Sequence, residues 1–580
     1  MNLIKTFALV SFFVFNLFPA KAQVPVHGTA SASAGFMDAT PWEADIQLAI
    51  PTEHVFLTPY LSVEGITPTS SETEEDNHLI YSKSQNRYES SEILKNKGFD
   101  LKYGTQAILP FRDGDLIMNL SFDGRTLRQF GNGTRYERLT DQNNLLLGDF
   151  SSRLHMPKAD ANMAKTKAGL KFRFGMQIEY AYSYNSSTDV LNQWRLDGTP
   201  IAGANNFETN RLKTDTKVHN HLAKLTQTFN LKNHQIFFGG SFEFNKIERD
   251  NAQTFDKESC FSGGRLDHKY LTGSDFIGYR FHNKHVQLSA QLTNAITHMS
   301  GTHTAFNICD HSLLQPTFAL PEAKYSKTDE PLIQDWIPQF QFKWNVGNGD
   351  TLKADYRMII KRPEAELLDP THILGTLTDD YGNLTLEGIH INNIVLAYQI
   401  AREKFSYTTR LNGIIVEDGF NAIWIDKNNI RNTTWGNQGV RRAYSITPDL
   451  MLRPSDKTTV TASATLMWDK RIARAIHMAK EHWGIRTQVG IKQVLPQGFL
   501  MNLKAAYSEG NTFDLYSHEG SKWEGNASII KSLLANRLNL SLSYDYEDYD
   551  NLILTQGAYT GKITRIGRHN SITLKAAYSF

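Results

Sequence analysis

The chain ends on SITLKAAYSF, residues 571–580, and these ten residues alternate between two kinds of side chain. Mostly large apolar and aromatic residues occupy 572, 574, 576, 578 and 580, while small or polar residues lie between them. A period of two predicts a β-strand with two unlike faces. An edge strand of a soluble sandwich and a strand of a membrane barrel both fit, so the rest of the chain has to decide.

The same period recurs upstream in pairs of segments joined by short turns. The cleanest example is 538–546, where Leu, Leu, Leu, Tyr and Tyr alternate with Asn, Ser, Ser and Asp. The arms are roughly 9 to 11 residues long, the length of a tilted transmembrane strand, and long polar stretches separate one pair from the next. The predicted pairs are 103–109 with 116–122, 219–229 with 235–245, 275–281 with 286–296, 336–345 with 352–360, 394–400 with 405–415, 444–452 with 460–468, 485–491 with 499–507 and 527–533 with 538–546.

The first residues have the order of a cleavable secretory signal: Lys5, an apolar run over 6–18, then Ala20-Lys21-Ala22. The run is shorter than the roughly 20 residues of a spanning helix, and no Cys follows to accept a lipid. We therefore expect 1–22 to be a signal peptide and Gln23 to begin the mature chain. Within residues 23–52, whose structure is otherwise uncertain, the sequence indicates one possible strand at 44–50. Residues 53–580 are the predicted barrel.

Composition narrows the class of protein. The chain has 580 residues, and no long apolar run follows residue 22. A mean hydropathy of −0.41 does not exclude a membrane protein, because barrel strands alternate lipid-facing with polar lumen-facing residues. Short turns on one side and long connections on the other favour the barrel over a soluble sandwich. The predicted fold is an all-β transmembrane antiparallel barrel of roughly 20–22 strands, with short periplasmic turns and long extracellular loops, in the outer membrane of a Gram-negative bacterium.

One stretch resembles the barrels of TonB-dependent receptors. Arg362-Pro363 ends a strand, Leu367-Leu368-Asp369-Pro370 follows, and Gly382-Asn383-Leu384-Thr385-Leu386-Glu387 leads back into the next strand. In that family the corresponding elements are an Arg-Pro, a Leu-Asn-Pro loop and a Gly-Asn-Pro-x-Leu before a Glu. Here Asp369 replaces the loop Asn and Leu384 replaces the second Pro.

The resemblance also concerns both ends of the chain. The terminal strand, with Tyr578 and Phe580, resembles the closing strand of outer-membrane barrels, where it is the recognition signal for the barrel assembly machinery. Family transporters carry a TonB-contacting box and a globular plug before the barrel. Between Gln23 and Gly98 we find neither a convincing box nor enough chain for a plug. The resemblance therefore implies a plugless member of the type.

Two clusters carry potential chemistry. His298, His303, Cys309 and His311 lie close in sequence, but their spacing fits no compact metal-ligand pattern, so we expect a polar loop and no metal. Asp545, Glu547 and Asp548 are either an acid/base pair at the rim or a solvated lumen face, and the lumen face is favoured. No Gly-x-Ser-x-Gly, Walker or His-Glu-x-x-His motif occurs, so no catalytic residue, cofactor or enzymatic activity is predicted.

The two cysteines, Cys260 and Cys309, lie in long loops on the same side of one predicted hairpin. An exported protein is exposed to conditions in which a disulfide persists, so we predict that they pair. Aromatic residues at strand ends, Trp344, Trp468 and Tyr546, are interpreted as part of the girdle at the bilayer interfaces.

These observations predict passage of an unidentified solute through a polar lumen, with membrane lipid as the surroundings. A net charge of +1 with dispersed acids and bases gives no nucleic-acid footprint. A separate plug or a surface lipoprotein is a candidate partner. The alternatives are a barrel-anchored surface binding or docking protein and, less favoured, a rim enzyme. Segments 23–51, 131–143, 187–214 and 299–329 are candidates for narrowing the lumen.

Overall fold

The computed structural model describes residues 27–37, 42–51, 55–66, 72–81, 85–111, 116–199, 207–255, 260–309, 324–327, 332–375, 378–427, 430–510, 518–555 and 559–580. The predicted signal peptide, 1–22, lies outside this part of the chain. No helix among the described residues is long and apolar enough to cross a bilayer.

Almost all of the described chain is β-strand, as the period of two predicts. Three short helical turns interrupt it: one α-helical turn, α1 (Ala365–Leu368), and two 3-10 turns, Arg474–Ile476 and Pro496–Gly498. The strands are His27–Met37 (β1), Trp42–Pro51 (β2), Phe56–Leu57 (β3), Tyr60–Ile66 (β4), Glu72–Tyr81 (β5), Arg87–Phe111 (β6), Leu116–Thr140 (β7), Leu146–Phe172 (β8), Met176–Thr199 (β9), Thr209–Leu231 (β10), His234–Phe255 (β11), Cys260–His282 (β12), Val286–Cys309 (β13), Lys324–Lys327 (β14), Ile333–Gly347 (β15), Asp350–Lys361 (β16), Ile373–Leu374 (β17), Thr378–Asp380 (β18), Ile389–Ala401 (β19), Phe405–Lys427 (β20), Ile430–Ser455 (β21), Thr458–Ala473 (β22), Met478–Val494 (β23), Phe499–Glu509 (β24), His518–Leu533 (β25), Leu538–Thr555 (β26) and Tyr559–Ser579 (β27).

Twenty-two of these strands form one closed antiparallel barrel, in agreement with the predicted fold class, and β3, β5, β14, β17 and β18 are further strands paired to it or to each other. Each sequence-predicted hairpin is present, from β6–β7 to β25–β26. The ring closes where β27 pairs with β1. At this seam the backbone N–H of Phe580 donates to the Gly28 carbonyl and the Gly28 N–H donates to the Phe580 carbonyl, both over 3.0 Å.

The seam differs between the two halves of the barrel. Near the periplasmic end, β1, β2 and β4 (with β3) lie between β27 and β6. Towards the extracellular end, β5 alone pairs with both β27 and β6. The residues 27–37 and 42–51 are therefore wall strands, and the hypothesis that the segment 23–51 folds into the lumen is wrong for its described part.

The extracellular connections differ from the long polar loops that the sequence predicts. Residues 131–140 and 187–199 continue β7 and β9 as paired strand, and 299–309 continues β13. Strands β7 to β13 have 22 to 27 residues, whereas roughly 9 to 11 cross the bilayer, so their hairpins project well beyond it. These parts of the loops proposed to narrow the lumen belong instead to the wall.

The two faces of the wall have the character expected in a membrane. On β11, Ile236, Phe238 and Phe242 are 39%, 45% and 50% exposed and point outward, where lipid covers them. Glu243 and Asn220 on the other face are hydrogen-bonded to each other over 3.0 Å. The lumen is therefore lined by polar side chains.

Aromatic residues lie at the same level on adjacent strands of the outer face. Tyr444 stacks on Trp468 with ring centroids 5.8 Å apart, and Trp468 is opposite Trp483, which is 62% exposed. Trp344, 42% exposed, occupies the periplasmic end of β15. Rings in these places suit the two membrane interfaces, as the aromatic-girdle interpretation expects.

Candidate functional site

One connection folds back onto the lumen side of the wall. It links β16 to β19, and we call residues 362–388 the strap. It contains α1, β17 and β18 and carries the whole of the motif that resembles TonB-dependent receptors. Its contacts extend along the inner face of the wall from β10 to β21. We therefore take the strap as the candidate site in the described chain, in place of the segments that the sequence analysis proposed for narrowing the lumen.

The strap lies at the extracellular mouth. It contacts inward-facing residues of β11 from 247 to 253. The outward residues at this level are Lys246, Glu248 and Asp250, and Lys246 forms an ion pair with Asp267. Charged side chains on the outer face mark the end of the hydrocarbon zone. The strap is thus above the membrane core, where an incoming solute would meet it first.

Asp369 is the polar centre of the contact between strap and wall. Its carboxylate is 3% exposed and accepts hydrogen bonds from the Thr371 N–H (3.0 Å) and hydroxyl (2.6 Å) and from the Asn251 amide. Arg249 lies 3.4 Å from it and His303 3.5 Å. Buried carboxylates need such partners because desolvation is costly. Asp369 therefore ties the strap to β11 and β13.

At a second polar contact, a side chain of the wall pairs with both backbone groups of one strap residue, as a neighbouring strand would. The Gln253 amide donates to the Leu374 carbonyl over 2.6 Å, and the Leu374 N–H donates back to Gln253 over 2.9 Å. Asn210 also donates to the Leu374 carbonyl, over 3.5 Å. Gln253 and Leu374 are buried, so both backbone groups of this strap residue are satisfied by the wall.

The far end of the strap is attached to β21. β18 pairs with β21 in parallel, the only parallel pairing in the described sheet. Asn383 donates to the Trp435 carbonyl over 2.8 Å. Asn437 accepts from the Glu387 N–H (2.7 Å) and donates to the Glu387 carbonyl (3.1 Å). The strap is therefore fixed on both sides of the two strands from which it arises.

The start of the strap is fixed by Arg362. Its guanidinium donates to the Thr297 hydroxyl over 2.5 Å and lies 3.7 Å from the Asp335 carboxylate. Asp335, 5% exposed, also accepts from His390 over 2.8 Å. One buried carboxylate thus joins the first residue of the strap to the strand that follows it.

Apolar packing seals the strap against the wall. Leu368 and Leu386 are 0% and 2% exposed and pack in one cluster with Leu266, Tyr270 and Met299 of β12 and β13. Burying a leucine side chain stabilises a structure by about 1.5–3 kcal/mol. The cluster therefore favours the docked position of the strap in addition to the polar contacts.

The motif spacing has a physical explanation. The Gly382 N–H donates to the Asp369 carbonyl and the Asn383 N–H to the Leu367 carbonyl, each over 2.6 Å. A Cβ on Gly382 would lie 2.6 Å from the Asp369 nitrogen and oxygen, so a side chain does not fit there. Asn383 also accepts from the Thr385 N–H over 2.9 Å. The Leu-Leu-Asp and Gly-Asn elements are thus the two sides of one closed turn.

A histidine–carboxylate pair lies within the strap. His372 is 2.8 Å from Asp379 and stacks on Tyr381, with ring centroids 4.4 Å apart. Burial, and then the negative charge of Asp379, raise the pKa of Tyr381 above its usual value. The phenol is therefore neutral at physiological pH.

Between strap and wall lies a cavity of about 400 Å³. Its lining combines acidic, basic and amide side chains with one aromatic ring: Glu243, Asn245, Arg249, Tyr270, Arg362 and Glu366. Mixed polar linings of this kind suit a hydrated or hydrogen-bonding solute.

The structure separates the histidines of the predicted polar loop. His303 points inward, 4% exposed, and contacts Thr371 over 3.0 Å, whereas His298 is on the opposite face of β13 because the two are an odd number of positions, five, apart along a strand. His311 lies outside the described residues. Within the described ranges no group of three or more His, Cys, Asp or Glu is arranged to hold a metal ion.

The acidic residues of β26 are on the wall. Asp545 accepts from Asn526 over 2.6 Å, and Glu547 is 2.8 Å from Lys522, which also pairs with Glu524. These partners are inward-facing neighbours on β25. Asp545 and Glu547 therefore belong to a lumen face with compensated charges, as the sequence analysis favours, whereas Asp548 is on the opposite face, where the Tyr546 hydroxyl donates to it over 3.1 Å.

The remaining predicted residues, two cysteines and two aromatic residues of the last strand, lie near each other in pairs. Cys260 and Cys309 are directly opposite in the β12–β13 pairing. The Tyr578 and Phe580 rings stack with centroids 6.2 Å apart at the closing seam. The disulfide and the assembly signal stay predictions.

Sequence analysis missed the wall residues that hold the strap. Arg249, Asn251 and Gln253 occupy alternate positions of β11, and this polar row, at a level where the outer face is also polar, was the one available signal. The partner strap residue Asp369 is 118 positions from Asn251, so no local pattern connects them.

Comparison with known proteins agrees with this architecture. Residues 322–546 match the model of the outer membrane protein beta-barrel family. No curated protein is similar enough in sequence to count as a match. The copper transporter OprC is similar in structure with a TM-score of 0.61 at 10% identity, over 96% of this chain and 83% of that one.

Two further solved structures have the same fold. The ferric yersiniabactin uptake receptor FyuA from Yersinia pestis has a TM-score of 0.56 at 8% identity, with 96% and 80% of the two chains covered. A double mutant of the ferric enterobactin receptor PfeA from Pseudomonas aeruginosa has a TM-score of 0.54 at 10% identity, with 96% and 80% covered. Likeness at this level of identity concerns the fold.

The closed ring, its apolar outer band and its polar lumen define an outer-membrane β-barrel protein. More narrowly, its barrel resembles that of TonB-dependent receptors, and the strap carries the motif that first indicated this.

Proposed function

We propose that the protein conducts a hydrophilic solute across the outer membrane through its lumen, with the strap narrowing the extracellular mouth. A barrel of this strand number encloses more space than its side chains fill. The observation that carries the proposal is the attachment of the strap to the wall, with hydrogen bonds that extend from Asn210 of β10 to Trp435 of β21. In this proposal the solute passes on the opposite side of the mouth, beside the arc from β22 round to β9.

The polar contacts of the strap support a constriction of fixed shape. Asp369, Gln253 and Arg362 hold it at three separate points, so the strap adds a defined set of polar groups to one side of the opening. Selectivity in such a pore comes from its width and from the side chains that line it.

Single-channel conductance in planar bilayers tests the proposal. Because Lys361 is directly opposite Ile389, a two-residue Asn-Gly turn can replace 362–388 without changing the wall. The intact protein should give stable openings, and the strap-deleted protein should give larger ones. A matched control replaces 141–145, the tip of the β7–β8 hairpin, with the same turn and should conduct like the intact protein.

Silent bilayers for both the intact and the strap-deleted protein would exclude passive passage. Surface binding or docking would then be the better explanation of the barrel. Equal conductance of the two proteins would show that the strap does not narrow the pore.

A further inference from the structure

A concave part of the lumen wall near the periplasmic end is positively charged. Arg280 of β12, Lys343 of β15, Lys353 of β16 and Arg410 of β20 line a cavity of about 900 Å³, and we call these four residues the basic wall. Among the residues that the structure describes, Asp355 is the only carboxylate in the lining. Glutamines and hydroxyl residues complete the lining and supply neutral donors: Gln235, Gln287, Ser289, Gln341, Gln399 and Thr408.

Two of the four cations, both lysines, face each other across one strand pair. Lys343 and Lys353 are directly opposite in the β15–β16 pairing. Like charges in this position destabilise a sheet by roughly 0.2–1 kcal/mol. In the described part of the chain neither forms an ion pair, whereas other wall lysines do: Lys102 with Asp100 (3.4 Å), Lys522 with Glu547 (2.8 Å) and Lys575 with Glu43 (3.5 Å).

The two arginines are held in fixed orientations at the edges of the cavity. The Arg280 guanidinium lies 4.4 Å from the centre of the Phe237 ring and donates to Gln235 over 3.0 Å. That ring lies flat on the wall because Gly278 has no side chain, and a Cβ there would be 2.1 Å from Phe237 Cζ. Arg410 donates to Asp449 over 2.8 Å. The basic wall therefore combines two positioned guanidinium groups with two flexible ammonium groups between them.

We propose that the basic wall binds anionic solutes, carboxylates or phosphates, as they pass along the lumen. Uncompensated cations on a concave, low-dielectric surface concentrate anions, and Lys and Arg groups give anion preference to pores. The inference rests on the proposed passage function and gives it a substrate class. Its site is distinct from the strap, which is at the other end of the barrel.

Binding of citrate to the purified, detergent-solubilised full chain tests the proposal by isothermal titration calorimetry at low ionic strength. The intact protein should bind citrate, and K343Q/K353Q should bind it at least about ten-fold more weakly, because two cations are lost. Lys504→Gln is the matched control, since Lys504 faces the lumen on β24, far round the ring. It should bind like the intact protein. Inorganic phosphate as a second probe shows whether the wall accepts both anion types.

The outcomes separate this inference from the passage function. No citrate or phosphate binding by the intact protein, or equal binding by K343Q/K353Q, overturns the basic wall as an anion site even if bilayers conduct. Citrate binding with silent bilayers retains the site and removes passage. Heat-dependent gel migration of each variant establishes that its barrel is folded.

Discussion

Asp369 shows how one residue determines the position of a whole connection. Its carboxylate is buried and receives hydrogen bonds from two residues, one in the strap and one on β11, with Arg249 and His303 nearby. The motif of TonB-dependent receptor barrels, which this stretch resembles, has Asn at this point, and an Asn side chain accepts fewer hydrogen bonds and carries no charge. The negative charge of Asp369 is therefore balanced by the Arg249 cation on the wall, which a neutral Asn side chain would not need.

Asp369→Ala should release the strap without unfolding the barrel. Removing one partner of a buried charged network costs about 3–5 kcal/mol, and here most of that cost falls on strap docking. We expect chymotrypsin to cleave within 362–388 in the variant and to spare the intact protein, with the fragments read by mass spectrometry. Glu366→Ala is the control, because the Glu366 side chain is 74% exposed and its ion pair with Arg249 is worth little. Equal protection of both variants would show that the strap stays docked without the Asp369 carboxylate.

At the scale of single elements, the sequence predicted the membrane-spanning hairpins well and the extracellular parts poorly. Inside the bilayer, one face of each strand meets lipid and the other meets water, so the period of two is visible in 538–546. Beyond the bilayer both faces meet water. The residues 131–140 then lose the apolar alternation although they remain hydrogen-bonded strand. The motif of the strap was recognisable, but its inward fold depends on wall residues far away in sequence.

The β12–β13 hairpin gives a prediction about its tip. The backbone register sets Cys260 opposite Cys309, and we expect the two thiols to be oxidised to a disulfide in the exported protein. Closing a loop of this length stabilises by on the order of 4 kcal/mol in the chain-entropy model. Maleimide labelling of the denatured, unreduced protein should modify neither cysteine, and reduction should expose both. Cys260→Ser should leave Cys309 open to labelling; two labelled cysteines without reduction would refute the bond.

The closing strand β27 gives a second prediction at this scale. Phe580→Ala keeps the backbone hydrogen bonds to Gly28 and removes only the terminal ring. If the ring is read during assembly, the amount of folded protein in outer membranes should fall, measured by immunoblot of fractionated cells. Tyr578→Phe keeps both rings and should assemble normally. Normal levels of the Phe580→Ala protein would show that this residue serves to close the seam and is not a recognition signal.

At the scale of the whole molecule, closure of the ring is what the local patterns could not specify. The strand number followed from the hairpin rhythm, but 23–52 gave only a possible strand at 44–50 because its Ala- and Ser-rich residues lack a lipid-facing apolar series. In the structure β1 pairs with β27 along its length, so tertiary pairing supplies what the sequence pattern lacks. A strand next to the seam is defined by its neighbours more than by its own composition.

The position of β1 and β2 leads to a prediction that these wall strands, unlike the strap, are required for a closed barrel. Deleting 27–51 removes one of the two partners of β27 and of β4 near the periplasmic end, where β5 does not reach, and leaves an unpaired strand edge on each in the bilayer. The folded form that resists SDS and migrates anomalously without boiling should then be lost. Replacing 362–388 by a two-residue turn should preserve that form, because β16 and β19 already pair directly beneath the strap. Comparison of boiled and unboiled samples of both variants on gels measures the difference. A 27–51 deletion that keeps the SDS-resistant form would mean that β27 can close on β4 or β6, and that β1 and β2 are dispensable for the ring.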